Sequence, residues 1–159
     1  MKPLYRGIAV AVFQCLLVLT VAGKYALDRQ SLPRGWARAL PVDPNMPLRG
    51  RYVSLNLELD GLAQEQGEFC EVTLRAWGGR LIASHGPSTA GLHAARWNGG
   101  PWRLTDPVDF FISEHAPDPS FRKPGEELWV EVSVPQRGEP RPIRLAVKKD
   151  GVLTPLDLR

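Results

Sequence analysis

From Arg51 onward the chain alternates apolar and polar residues with a period of two. Val53, Leu55, Leu57 and Leu59 interleave with Tyr52, Ser54, Asn56 and Glu58, the pattern of a strand with one buried face and one polar face. The same pattern recurs in Cys70, Val72, Leu74 and Ala76, in Val108, Phe110 and Ile112, in Leu128, Val130, Val132 and Val134, and in Ile143, Leu145 and Val147. Asp150-Gly151 is the dipeptide that a two-residue hairpin turn wants before Val152 to Leu156. No stretch after residue 31 keeps a 3.6-residue period for three turns, and 25 of the last 121 residues are Gly or Pro. The pattern predicts six or seven short strands, an all-β domain over 48–159 built as a small antiparallel β-sandwich or open barrel. Its phase also predicts that Leu55→Asp would bury a carboxylate, while Ser54→Asp would point outward at little cost.

The N-terminal pattern differs. Ile8 to Ala22 holds only Gln14 and Thr20 as polar interruptions. A helix over Gly7–Leu27 reaches about 31 Å, enough to cross a hydrocarbon core of about 30 Å if Lys24 and Tyr25 sit at the interface. Residues 1–30 therefore read as a membrane anchor. A cleaved signal peptide is the rival, since Lys2 and Arg6 precede the apolar run and Val21-Ala22-Gly23 offers small residues for cleavage. The short N-terminal flank favours an N-inside orientation with the domain outside the cytoplasm. The rival orientation sets Arg29, Arg34 and Arg38 on anionic lipid. Pro33, Gly35, Pro41, Pro44 and Pro47 forbid a long helix over 31–47, which reads as a Pro-rich stalk.

The chain has 159 residues with 43% apolar and 23% charged, within the range of globular proteins. Its basic pI of 9.1 arises from residues 1–38, which carry six Lys/Arg against Asp28, whereas the rest holds 14 basic and 16 acidic groups. The basic balance thus belongs to the membrane flank, and no nucleic-acid partner is expected.

Leu48-Arg49-Gly50-Arg51-Tyr52-Val53-Ser54-Leu55-Asn56-Leu57 resembles the opening strand of the membrane-anchored GDYXXLXY family, with Arg51 where the family has Asp and Leu57 where it has a second Tyr. Asp43-Pro44 with Pro47-Leu48-Arg49 is similar to the family's lead-in. Phe110-Phe111-Ile112-Ser113-Glu114 is similar to its aromatic-Phe-Val-Pro-Glu segment. The resemblance covers nearly the whole chain. It implies a bacterial inner-membrane protein with a single span and no established activity, often accompanied by a multi-pass membrane protein. Gly50, just before a strand, suggests a turn or a close backbone approach. Arg51 and Tyr52 are candidate contacts to a partner, or simply cover the strand entrance. Glu114 belongs to the family segment as a turn or ladder residue.

Candidate chemistry is sparse. His85 and His93 lie eight residues apart, too far for the close pairs of a zinc site, and with Cys70 and His115 they read as structural or solvated, so no metal is expected. Ser84-His85-Gly86 has nucleophile and base residue types without the Gly-x-Ser-x-Gly elbow. Ser31 follows the anchor, where type I signal peptidases carry a nucleophile, but Leu32 stands where they have Met. Asp106, Asp109 and Glu114 cluster as carboxylates do in glycosidases, and a solvated strand explains them equally. There is no P-loop or dinucleotide glycine pattern, and no cofactor is expected. Trp97 and Trp102 flank Asn98-Gly99-Gly100-Pro101, a loop expected to set two indoles opposite each other as a structural pair or as a platform for a glycan or protein. The expectation is a membrane-anchored binding or accessory module, bound to lipid through its anchor and to another membrane or envelope protein through Arg51, Tyr52, Trp97 or Trp102. The alternative is an envelope hydrolase acting on peptide or glycan, which requires Ser84, His85, Asp109, Glu114 and His115 to converge.

Overall fold

The computed structural model describes residues 3–42, 51–62, 67–87 and 90–158. The chain divides into two units, Met1–Leu32 and Pro33–Arg159. The first is a single helix, α1 (Pro3–Ser31). Its Gly7–Asp28 segment is long and apolar enough to cross a membrane, and its side chains are exposed, with Phe13 and Leu19 each at 66%. The polar interruptions are absorbed locally: the Thr20 and Ser31 hydroxyls donate to the Leu16 and Leu27 carbonyls, each at 2.7 Å.

The second unit is all-β. Its strands are β1 (Arg34–Val42), β2 (Tyr52–Leu59), β3 (Phe69–Trp77), β4 (Arg80–His85), β5 (His93–Ala95), β6 (Trp102–Leu104), β7 (Val108–Phe111), β8 (Glu127–Ser133), β9 (Arg141–Lys149) and β10 (Val152–Pro155). Six of them, in the order β1-β4-β3-β5-β6-β2, close on themselves because β1 also pairs with β2. The result is a closed barrel. β8, β9 and β10 extend the sheet from β1, and β7 extends it from β2. The inward residues of the alternating strands fill the interior: Leu55, Leu57, Val72, Val130, Val132 and Leu145 are all fully buried.

The main departure from the sequence reading is β1, which occupies most of the stretch assigned to a stalk. Its inward residues are Gly35, Ala37 and Ala39, while Trp36 and Leu40 are only partly buried on the opposite face. Apolar alternation is therefore inverted along β1, which hides the strand from any periodicity search. Small residues stand inside because space demands it. A Cβ on Gly35 would lie 2.8 Å from the backbone of Arg80 and Leu81, where β4 crosses. β1 changes partners along its length: Arg34–Arg38 pairs antiparallel with β8, Trp36 pairs with Arg80 of β4, and Ala39–Val42 pairs antiparallel with β2. Prolines at either end limit it, Pro33 before the strand and Pro41 near its close.

Candidate interaction surface

Inward burial of Val53, Leu55, Leu57 and Leu59 fixes the phase of β2, so Tyr52, Ser54, Asn56 and Glu58 face outward. β7 lies antiparallel beside it, with Tyr52 opposite Phe111, Val53 opposite Phe110 and Ser54 opposite Asp109. The β2 and β7 segments are thus hydrogen-bonded neighbours. Their outward residues form two rows at the end of the sheet.

In the first row the Tyr52 and Phe111 rings lie 6.0 Å apart at an interplanar angle of 45°. Phe111 is 70% exposed on the last strand in the sheet order. A tilted aromatic pair of this kind contributes a few tenths to about 1 kcal/mol across a ladder, yet most of the Phe111 ring still faces water. In the second row the Ser54 hydroxyl donates to Asp109 Oδ1, and Ser54 is buried beneath that bond. Its outward direction does not mean exposure, so the expectation that Ser54→Asp costs little is corrected: a second carboxylate there would meet Asp109.

The rows are tied together at one end. Arg51 Nη1 donates to the Glu114 carbonyl, and the Ile112 amide donates to the Arg51 carbonyl at 3.1 Å. Beyond β7 the chain turns at Ser113, whose carbonyl accepts from the Ala116 amide at 3.1 Å. Arg51 therefore clamps the turn after β7 through the Glu114 main chain, and Glu114 is exposed. Arg51, Tyr52 and Glu114 are brought together, and Phe111 joins them. Gly50 lies outside the described residues.

The two tryptophans do not form a platform. Asn98 (φ 52°) and Gly99 (φ 69°) make the centre of a tight turn closed by the Gly100 amide on the Trp97 carbonyl at 2.9 Å, and Trp97 is 60% exposed. Trp102 starts β6, where the inward phase set by Leu104 puts its indole in the core. The Arg96 guanidinium covers the ring at 5.1 Å, and Trp102 Nε1 is buried without a hydrogen-bond acceptor among the described residues. The expected exposed pair is therefore one exposed turn residue and one core residue.

The candidate catalytic residues are spread over several elements, with Ser84 and His85 on β4 and Asp109 on β7. Ser84 and His85 end β4 opposite Thr73 and Val72 of β3, and Ser84 donates to the Thr73 carbonyl at 3.4 Å. His93 pairs with Glu71 on the other side of β3 and stacks on Phe69 at 5.1 Å. Asp109 accepts from Ser54, and Asp106 accepts from the Thr105 hydroxyl at 3.2 Å. Among the described residues no group of three His, Cys, Asp or Glu side chains is arranged to hold a metal ion. Cys15 and Cys70 are both free thiols, and burial on the inward face of β3 raises the Cys70 pKa above its ordinary value.

Elsewhere, a concavity of about 420 Å³ is lined by Arg38, Glu126, Glu127, Lys148 and Asp150. Arg38 lies 3.5 Å from Glu127 across it, Glu126 pairs at 3.7 Å with Lys149 outside the lining, and Lys148 lies over the Trp129 ring. No family model, no curated protein and no solved structure matches this chain.

Proposed function

We propose that this chain is a single-span bacterial envelope protein of the GDYXXLXY type, a binding module that engages another membrane or envelope protein through the β2–β7 edge. The observation that carries the reading is Phe111: a large aromatic ring, mostly exposed on a terminal strand, held in place by Tyr52 and by the Arg51 clamp. Aromatic residues on a rigid element are the usual energetic centres of protein interfaces, because they remove much apolar area from water at little entropic cost. The apolar α1, long enough to cross a membrane, supports a retained anchor in lipid with the barrel displayed in the envelope.

The test is affinity capture with full-length protein from detergent-solubilised membranes. Phe111→Ser and Tyr52→Ser should each weaken capture of the bound protein about thirtyfold, corresponding to about 2 kcal/mol, with the melting transition kept. Capture unchanged by both substitutions would overturn the proposed edge. Loss of the cellular role on Ser84→Ala or His85→Ala, in folded and membrane-localised protein, would move the reading to a hydrolase.

A further inference from the structure

Three segments meet at one rim of the barrel. The start of β1 is joined to the β8–β9 hairpin by the Arg34–Ser133 and Ser133–Arg141 pairs and by the Val134 amide, which donates to the Pro33 carbonyl at 2.9 Å. On its other side the Trp36 amide donates to the Gly79 carbonyl at 2.9 Å, which fixes the β3–β4 hairpin at the same rim. Gly78 (φ 56°) and Gly79 (φ 76°) supply the two left-handed positions of that hairpin, so its turn asks nothing of the residue before it. Yet that residue is Trp77, and it is 77% exposed.

The rim is basic. Arg34, Arg75, Arg80, Arg137 and Arg141 belong to these three segments or their connecting loops, against Asp60, which pairs with Arg80 at 2.6 Å, and Glu139. Only Leu32 and Pro33 separate α1 from β1 in the chain, so this rim is where the domain begins immediately after the apolar helix. Indole rings favour the bilayer headgroup level, and guanidinium groups match lipid phosphates with paired donors.

We infer that this rim docks on the anionic headgroup surface of the bilayer that α1 enters, with Trp77 seated among the headgroups and Arg75 and Arg137 on lipid phosphates. The inference rests on the reading of α1 as a retained anchor, and it assigns the rim a different contact from the β2–β7 edge. Zwitterionic lipid offers the same indole environment without net charge, so docking requires anionic lipid.

The experiment is amide hydrogen exchange on full-length protein in nanodiscs of pure phosphatidylcholine and of an equimolar mixture with phosphatidylglycerol. Exchange at Gly78, Gly79 and 136–138 should slow about tenfold in the mixed disc alone, with the Trp97–Gly100 turn unchanged in both. Trp77→Ser, and separately the surface pair Arg75→Gln with Arg137→Gln, should abolish that slowing. Insertion into both discs with equal exchange at the rim overturns the docking inference alone. Protein that elutes apart from the discs overturns the anchor and the inference with it.

Discussion

Single side chains of this domain are governed by what covers them rather than by the direction in which they point. Leu55 is fully buried, and Leu55→Asp should destabilise the barrel by on the order of 4 kcal/mol, read by chemical denaturation. Ser54→Asp should cost about 1–3 kcal/mol because of the Asp109 carboxylate, and Asp109→Asn in the same chain should restore most of that loss. Equal stability of Ser54→Asp with and without Asp109→Asn would remove the like-charge explanation. Cys70 gives a pH signature. Its folded pKa is raised by burial, so below the ordinary thiol value of 9.0 the group is neutral in both states and adds no slope. Above that value the unfolded chain loses its proton first, and stability should fall as pH climbs toward the folded pKa. Cys70→Ala should lack that alkaline fall, and native Cys70 should react slowly with a polar maleimide. Of the residues singled out from sequence, Arg51 and Tyr52 adjoin in the chain, and only the register of β2 against β7 brings Glu114 beside them. Phe111 is not distinguishable from sequence, because its exposure follows from β7 lying last in the sheet order. Trp102 was misplaced because two indoles flanking a turn look symmetrical until strand phase assigns one of them to the core.

At the scale of elements, the long amphipathic strands and the four-residue β7 and β10 are legible in the sequence, whereas the inverted β1, the three-residue strands and β4 are not. β2, β3, β8 and β9 carry large inward residues at a period of two, enough to establish an all-β domain. β5 and β6 have three residues each, below the length at which alternation can be recognised, and the signal for β4 is its Gly78-Gly79 turn rather than its alternation. β8 departs in another way: Trp129, Glu131 and Ser133, which alternate with its apolar row, are buried as well. Neighbouring strands cover them with long cationic side chains. Arg144 reaches Glu131 at 2.7 Å and lies 5.3 Å over Trp36, while Lys148 lies 4.5 Å over Trp129. The strand that most constrains the barrel is β1, through Gly35. Gly35→Ala should cost about 1–3 kcal/mol, because the new methyl meets backbone of β4 that cannot move without opening the closure. Calorimetry of the variant checks this, and an unchanged transition temperature would show that the β1–β4 approach tolerates expansion.

For the whole molecule, the sequence correctly divided an apolar N-terminal helix from an all-β unit, but set the start of that unit too late, since it begins at Pro33. Proline was read as a sign of a tether, whereas here two prolines bracket a strand. If α1 is a retained anchor, protein from native membranes should resist alkaline carbonate extraction and keep its N-terminal residues by mass spectrometry; a mature terminus near Lys24 would identify a cleaved leader instead. The pairing of β1 also sets the order in which the domain can be completed. β1 leaves the ribosome before every other strand, yet one of its partners, β8, lies nearly the length of the domain away. Closing that separation is slow and must wait for most of the chain. A product ending anywhere before residue 127 would therefore hold its central strand with one edge bare, a template for unwanted pairing with other chains. Truncated forms of this protein should accumulate as aggregates or be degraded, and none should survive as a smaller working barrel.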